Sequence, residues 1–284
     1  MKRSRNFAGK YPELFLLVAL LLPGMVFTAE REPPLHMGIL PYLSTEQLFK
    51  FFTPMKVYLE QRLQRSVVMT TAPNFRTFIE RAAHADYDIY VTAPHFALLA
   101  EQQSGYRGLV RMTRNLDAAI FVRKDDVAKR IEDLRSRRIA SPNTLALTSI
   151  LGEQMLRGHG LEAGRDYVLQ DAFSHNNALM RVAEYDADAA LTSVVVLEHM
   201  PPSVRDRLRV LVTAPQVPQL MVLASPKLPE TDYRSLSQAL LAFTHQGPGR
   251  EFFDLTGNVD VAPITQADMD ALKPFLPILK ERLK

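Results

Sequence analysis

The sequence predicts an α/β fold of parallel-type sheets covered by helices on both faces and divided between two lobes. Three observations lead there. Short apolar runs alternate with helical patterns from residue 35 onward, the order that strand-helix-strand units produce. Proline follows a Thr-Ala pair at Thr71-Ala72-Pro73 and Thr92-Ala93-Pro94, at junctions where a strand gives way to a helix whose first turn has no use for the missing N–H. A chain of 284 residues also suffices for two cores, because domains commonly hold roughly 100 to 150 residues.

Taken in order, residues 35–40 read as a strand stopped by Pro41. A helix follows over 44–65, where Leu48, Phe51, Phe52, Met55, Tyr58, Leu59 and Leu63 recur at steps of three and four and so share one face. Ser44 or Thr45 supplies its N-cap oxygen, and Gln47 stands where a capping-box partner of Ser44 belongs. Strands at 67–71 and 87–92 alternate with helices at 74–83 and 94–103. Beyond Arg114 come a strand at 118–123, a helix-like stretch at 127–134 and a strand at 138–140. The helix at 148–159 has Leu147, Ile150, Leu151, Met155 and Leu156 on one side, with Gly158 and Gly160 as stops. A strand at 167–170, a helix at 176–184, a strand at 187–192 and a helix at 195–199 repeat the pattern. Strands at 209–213 and 219–224 precede three closing helices at 233–245, 249–255 and 266–282. A third Thr-Ala-Pro at Thr213–Pro215 is read as recurring turn chemistry, since its flanks do not match the other two.

The N-terminus has a different composition. Lys2, Arg3, Arg5 and Lys10 precede an unbroken apolar run from Leu14 to Leu22, closed by Pro23 and Gly24. That run is too short to span a hydrocarbon core of about 30 Å as a helix, so residues 1–29 are expected to be a secretory signal cleaved after Ala29, with an uncleaved anchor as the alternative. Those residues hold four of the 34 basic and one of the 31 acidic residues, which leaves thirty of each in the remainder. A neutral mature chain gives no footing for nucleic acid or an acidic membrane. The absence of cysteine excludes disulfides, thiol nucleophiles, thiolate metal sites and lipid attachment through cysteine.

Nothing in the chain matches a phosphate-binding glycine loop, a nucleophile elbow or a dinucleotide fingerprint, and the seven histidines lack metal-ligand spacing. No enzyme activity, cofactor or metal is expected. Ligands of open α/β sheets sit outside the carboxyl ends of the strands, which points to 41–44, 71–74, 92–95, 141–144, 174–177 and 192–194. His175 precedes a helix, where unpaired N–H groups and the helix dipole favour an anion and a ring could add a hydrogen bond and, once protonated, a charge; equally, Ser174 or Asn176 caps that helix and His175 is solvated. His95 repeats the construction in Ala93-Pro94-His95-Phe96. Tyr42 sits between Pro41 and Ser44, placed either to offer a phenol to a cleft or to pack on its own lobe.

These segments resemble the periplasmic phosphate, phosphite and phosphonate-binding proteins of ABC transporters. The likeness lies in Gly38-Ile39-Leu40-Pro41-Tyr42-Leu43-Ser44, in Thr71-Ala72-Pro73-Asn74-Phe75, and in Tyr87-Asp88-Ile89 leading to Ala93-Pro94-His95. It continues through Phe121-Val122-Arg123-Lys124-Asp125, Ser174-His175-Asn176-Asn177 and Asp186-Ala187-Asp188-Ala189-Ala190. The resemblance implies a type II periplasmic-binding-protein fold with two hinge crossings: residues 30–114 and 218–284 in lobe 1, 115–217 in lobe 2. It implies a monomer that captures a small anion such as phosphonate, phosphite or phosphate by lobe closure for an ABC permease, or alternatively a sensor that reports a ligand to a membrane histidine kinase. The ligand set it implies is Tyr42, Pro94, His95, His175, Asn176 and Thr192, together with Asn143, Thr144, Thr148 and Ser149. Those last four stand where the family has a Ser-Thr-Ser-Gly-like run, here interrupted by Leu145-Ala146-Leu147. With Thr192-Ser193-Val194 where an acidic residue is expected, a ligand bearing an ammonium group is disfavoured.

Overall fold

The computed structural model of the chain describes residues 32–284. The expected signal or anchor at 1–29 lies outside the described residues. From Leu35 the chain builds β1 (Leu35–Ile39), α1 (Thr45–Leu63), β2 (Val67–Thr70), α2 (Phe75–Ala83), β3 (Ile89–Thr92), α3 (Pro94–Ser104) and β4 (Arg107–Met112). A two-residue strand, β5 (Asn115–Leu116), leads to β6 (Ala118–Arg123), β7 (Arg138–Ser141), α4 (Leu147–Gly158), β8 (Val168–Asp171), α5 (His175–Ala183), β9 (Ala189–Ser193), α6 (Val194–Glu198), α7 (Pro202–Arg205) and β10 (Leu208–Thr213). A second two-residue strand, β11 (Val217–Pro218), returns the chain to β12 (Met221–Ala224), α8 (Glu230–Phe243), α9 (Gly247–Thr256), β13 (Val261–Pro263), α10 (Gln266–Asp270) and α11 (Leu276–Arg282).

The strands form a six-stranded sheet ordered β13-β4-β12-β3-β1-β2 and a five-stranded sheet ordered β10-β6-β9-β7-β8. Between them β5 and β11 pair with each other. Sheet direction is mixed, which corrects the expectation of parallel sheets. β1 runs parallel to β2 and β3, and β7 to β8 and β9, but β12 is antiparallel to β3 and β4, and β6 to β9 and β10. The reason is the crossing. β1 and β3, like β7 and β9, end where the two sheets face each other, so a chain that arrives through β5 or β11 must start at that edge and run back.

One strand was not expected, and two local expectations change. β4 is a full strand between β12 and β13, although Arg107 and Arg111 break its apolar pattern. Arg111 pairs with Asp268 at 2.9 Å, and Arg107 lies over the Tyr233 ring, 3.9 Å from its centre. Residues 127–134 yield only a 3-10 turn at Ile131–Leu134, with Val127 fully outside it and exposed. The long closing helix is divided into α10, a 3-10 turn at Lys273–Phe275 and α11, because Pro274 and Pro277 remove donors from its middle.

Apolar side chains cover both faces of each sheet. Leu48, Phe52, Met55 and Leu59 of α1 join Phe243 and Phe252 under the first sheet. Its other face packs through Phe78, Tyr90 and Phe96 into a cluster that continues to Leu145, Leu147 and Ile150 beside the second sheet. Core packing therefore runs across the gap between the sheets, and that gap is where the candidate site lies.

Candidate ligand-binding site

Besides the five-residue α6, two longer helices start at the gap without a side-chain cap. α3 begins after Ala93 with Pro94 in its first turn, and α4 begins after Ala146. By contrast Ser44, Asn74 and Ser174 each accept a hydrogen bond from the first turn of α1, α2 and α5. A helix start leaves its first N–H groups without internal partners and carries a partial positive charge, so an uncapped start is a seat for an acceptor. The run Leu145-Ala146-Leu147 has this consequence: an apolar residue at the cap leaves the α4 amides to whatever occupies the gap.

Between these starts lies a cavity of ≈ 100 Å³, bordered by Tyr42, Pro94, His95, Thr148 and His175 among others. A single water needs roughly 10 to 15 Å³ on this measure, so the space suits a small molecule of several heavy atoms. Its walls are largely apolar, with Leu40, Phe51, Phe75, Phe96, Leu116 and Leu220 among them, and among the described residues no Asp, Glu, Lys or Arg borders it. Burial sets the charge state of its polar groups. His95 is wholly buried and His175 nearly so, and burial pushes each imidazole down to about 4, the Leu145 carbonyl opposing this weakly at His95. Burial also raises the Tyr42 phenol above its ordinary range. Near neutral pH all three are uncharged, so His175 supplies a hydrogen bond and no cationic charge.

The polar atoms are unevenly satisfied. His95 Nε2 donates to the Leu145 carbonyl at 2.8 Å, while its Nδ1 has no protein partner. The buried Thr148 hydroxyl has none either. His175 Nδ1 meets the Thr192 hydroxyl at 2.8 Å, which orients the ring from behind.

The remaining expected residues lie around the cavity and do not border it. Asn143 accepts a hydrogen bond from the Leu145 amide at 2.8 Å and shapes the turn before α4. Thr144 is exposed and offers its carbonyl to Arg282. Ser149 is tied to Ser141 at 2.5 Å, joining α4 to β7. Asn176 donates to Gln47 at 3.2 Å across the rim. Thr192 acts through His175. The sequence reading missed Gln219, Thr256, Asn258 and His199, all of which border the cavity. Thr256 and Asn258 flank Gly257, whose φ of 68° ends α9 in the left-handed region that glycine favours. That Thr-Gly-Asn stop is the local signal that was available.

Compared with known proteins, residues 37–269 match the family model described as ABC transporter, phosphonate, periplasmic substrate-binding protein. Among solved structures, PhnD1 from Prochlorococcus marinus in complex with methylphosphonate superposes with a TM-score of 0.77 at 17% identity, over 87% of this chain and 98% of that one. A binding protein component of an ABC phosphonate transporter from Pseudomonas aeruginosa gives 0.74 at 13%, over 88% and 98%. A histidine kinase sensor domain with similarity to periplasmic binding proteins gives 0.57 at 15%, over 81% and 98%. At these identities the solved structures speak for the fold, whereas the family model spans most of the chain. The chain belongs to the periplasmic substrate-binding proteins of ABC phosphonate transporters.

Proposed function

We propose that this protein captures a small organic oxyanion, a phosphonate in the first instance, and presents it to the permease of an ABC importer. The observation that carries this reading is the pair of uncapped helix starts, α3 and α4, facing one cavity that the Thr148 hydroxyl, buried without a partner, borders. Helix starts stabilise negative charge without a cationic side chain, and the apolar wall suits an organic substituent. The six-stranded sheet with its helices is lobe 1, the five-stranded sheet is lobe 2, and β5 and β11 are the hinge between them. Tyr42, Pro94, His95, Thr148 and His175 contact the ligand, with Asn143, Thr144, Ser149, Asn176 and Thr192 holding them in place. Export through residues 1–29 places a monomer in the periplasm.

The test is a thermal-shift screen of the mature chain against methylphosphonate, phosphite, phosphate, alkylsulfonates and carboxylates, since a ligand that binds only the folded state raises the melting temperature. Methylphosphonate is expected to give a saturable rise; no rise with any of these anions refutes the reading. A second reading, ligand sensing, is favoured by the likeness to a histidine kinase sensor domain. Neighbouring permease and ATPase genes support import, and a neighbouring histidine kinase gene supports sensing.

A further inference from the structure

The polar atoms of the cavity ask for more than an acceptor. A backbone carbonyl can only accept, so the 2.8 Å contact to Leu145 fixes the His95 proton on Nε2. The ring then has one lone pair left, on Nδ1, and that atom is buried without a protein partner on a residue that borders the cavity. An unsatisfied buried acceptor is costly, and native structures seldom leave one without a reason. Burial keeps the ring neutral down to about pH 4, so Nδ1 remains an acceptor throughout the neutral range. Facing the same space are Thr148, whose hydroxyl has no partner, and the Leu147 and Thr148 amides at the start of α4, which can donate, whereas the Ser149 amide is given to the Ala146 carbonyl.

We infer that His95 makes this site select a ligand that donates at least one hydrogen bond while accepting several: within the phosphonate class, the singly protonated monoanion carrying an apolar substituent. This rests on the oxyanion-capture reading above. One P–O–H of the ligand donates to His95 Nδ1, its two unprotonated oxygens accept from the α4 start and Thr148, and its substituent meets the apolar wall. Three classes are disfavoured for separate reasons. A phosphonate dianion has no proton for Nδ1 and brings a second charge into a cavity that no Lys or Arg borders among the described residues. A sulfonate matches the monoanion in shape and charge but lacks the donor. Inorganic phosphate lacks the apolar substituent. The titratable groups that border the cavity with His95 are Tyr42 ahead of α1, His175 on α5 and His199 after α6; no ionised side chain contributes to the shift at His95 itself.

The experiment is calorimetric titration of the wild-type mature chain with methylphosphonate and with methanesulfonate between about pH 6 and about pH 9, a window that spans the second ionisation of a phosphoryl group. Methylphosphonate affinity is expected to fall about tenfold per pH unit once the ligand loses its last proton. Methanesulfonate does not titrate there, so its own profile reports the protein groups; it is expected to bind about tenfold to a hundredfold more weakly at the acidic end, the effect of one unsatisfied buried acceptor. In His95→Phe, checked for folding by its melting curve, the preference between the two should shrink to about twofold or less. The wild-type comparison stands even if that variant does not fold. Equal binding of both ligands with a flat methylphosphonate profile overturns the inference and leaves oxyanion capture intact. Binding of neither ligand at any pH overturns both.

Discussion

His95 and His175 are buried as neutral rings, and that has a thermodynamic signature apart from any ligand. Their values in the folded chain are pushed down to about 4 by burial, against about 6.5 in an unfolded chain. Between those values the unfolded state binds more protons, so the stability each ring contributes is present above about pH 6.5 and is lost as pH falls toward about pH 4. Each depressed ring accounts for on the order of 3 kcal/mol across the window. The ligand-free protein should therefore melt several degrees lower at about pH 5 than at about pH 7, and His175→Ala should flatten that slope by about half. Asp166, held low by its hydrogen bond to Arg165, keeps its contribution until pH falls below the usual carboxylate range, so it does not imitate the histidines. A slope unchanged in His175→Ala would show that ring to be protonated or solvated. Thr148 makes a complementary case. Its hydroxyl is buried without a protein partner, so Thr148→Val removes no bond within the protein and should leave the melting temperature level or slightly raised. Oxyanion affinity should fall about tenfold or more, the worth of a hydrogen bond to a charged group. Calorimetry and melting curves on the one variant separate the two effects.

Among the elements, those with a single clear signal were legible in the sequence. The face of α1 with its Ser44 cap, the strand-to-helix turns at Asn74 and Pro94, and the starts of α4 and α5 all fall within a few residues of the expected places. Strand ends were legible for the same reason, and they led to Tyr42, His95 and His175, whereas Thr148 came from the family resemblance. What stayed hidden was set by distant partners. β4 reads as polar because its arginines are answered by Asp268 and Tyr233, far along the chain. Gln219 and Asn258 reach the cavity only because the chain recrosses through β11, and nothing in the sequence says that Asn143 turns to its own loop or that Ser149 turns to Ser141 of β7. Gly38 shows how tightly one element is seated. Any Cβ at this position of β1 would overlap the Tyr87 ring, which is itself stacked against Phe78 and Tyr90 with centroids 5.1 and 5.8 Å away. A rigid ring held from two sides cannot yield as a flexible side chain would. Gly38→Ala is expected to cost about 1 to 3 kcal/mol and several degrees of melting temperature; an unchanged melting curve would mean that the Tyr87 ring moves freely.

At the scale of the whole molecule, the proposed lobes are held together at points spread around the cavity. His95 donates to the Leu145 carbonyl at 2.8 Å, Asn176 donates to Gln47 at 3.2 Å, and His199 Nε2 meets the Leu255 carbonyl at 3.0 Å. On the side of the C-terminus the tie is ionic. Arg76 of α2 donates to the carbonyls of Leu283 and Arg282 at 2.6 and 3.0 Å, which pins the end of the chain to the first sheet's side. From there Arg282 crosses to Glu153 of α4 at 2.9 Å and also reaches the Thr144 carbonyl. The pair is about a fifth exposed at Arg282 and less at Glu153, so water screens it less than it would a surface pair. A tie that exists only when the lobes are together biases the equilibrium between open and closed forms, and ligand affinity scales with the closed fraction. Arg282→Gln keeps an amide for the Thr144 carbonyl but removes the charge facing Glu153. It should enlarge the radius of gyration of the ligand-free protein in small-angle scattering, weaken oxyanion binding by roughly two- to tenfold, and let saturating ligand restore the wild-type radius. The wild type should itself contract, or begin already contracted, when ligand is added. If Arg282→Gln leaves both the radius and the affinity unchanged, the C-terminal helix is a passive cover and closure depends on the cavity contacts and the hinge alone.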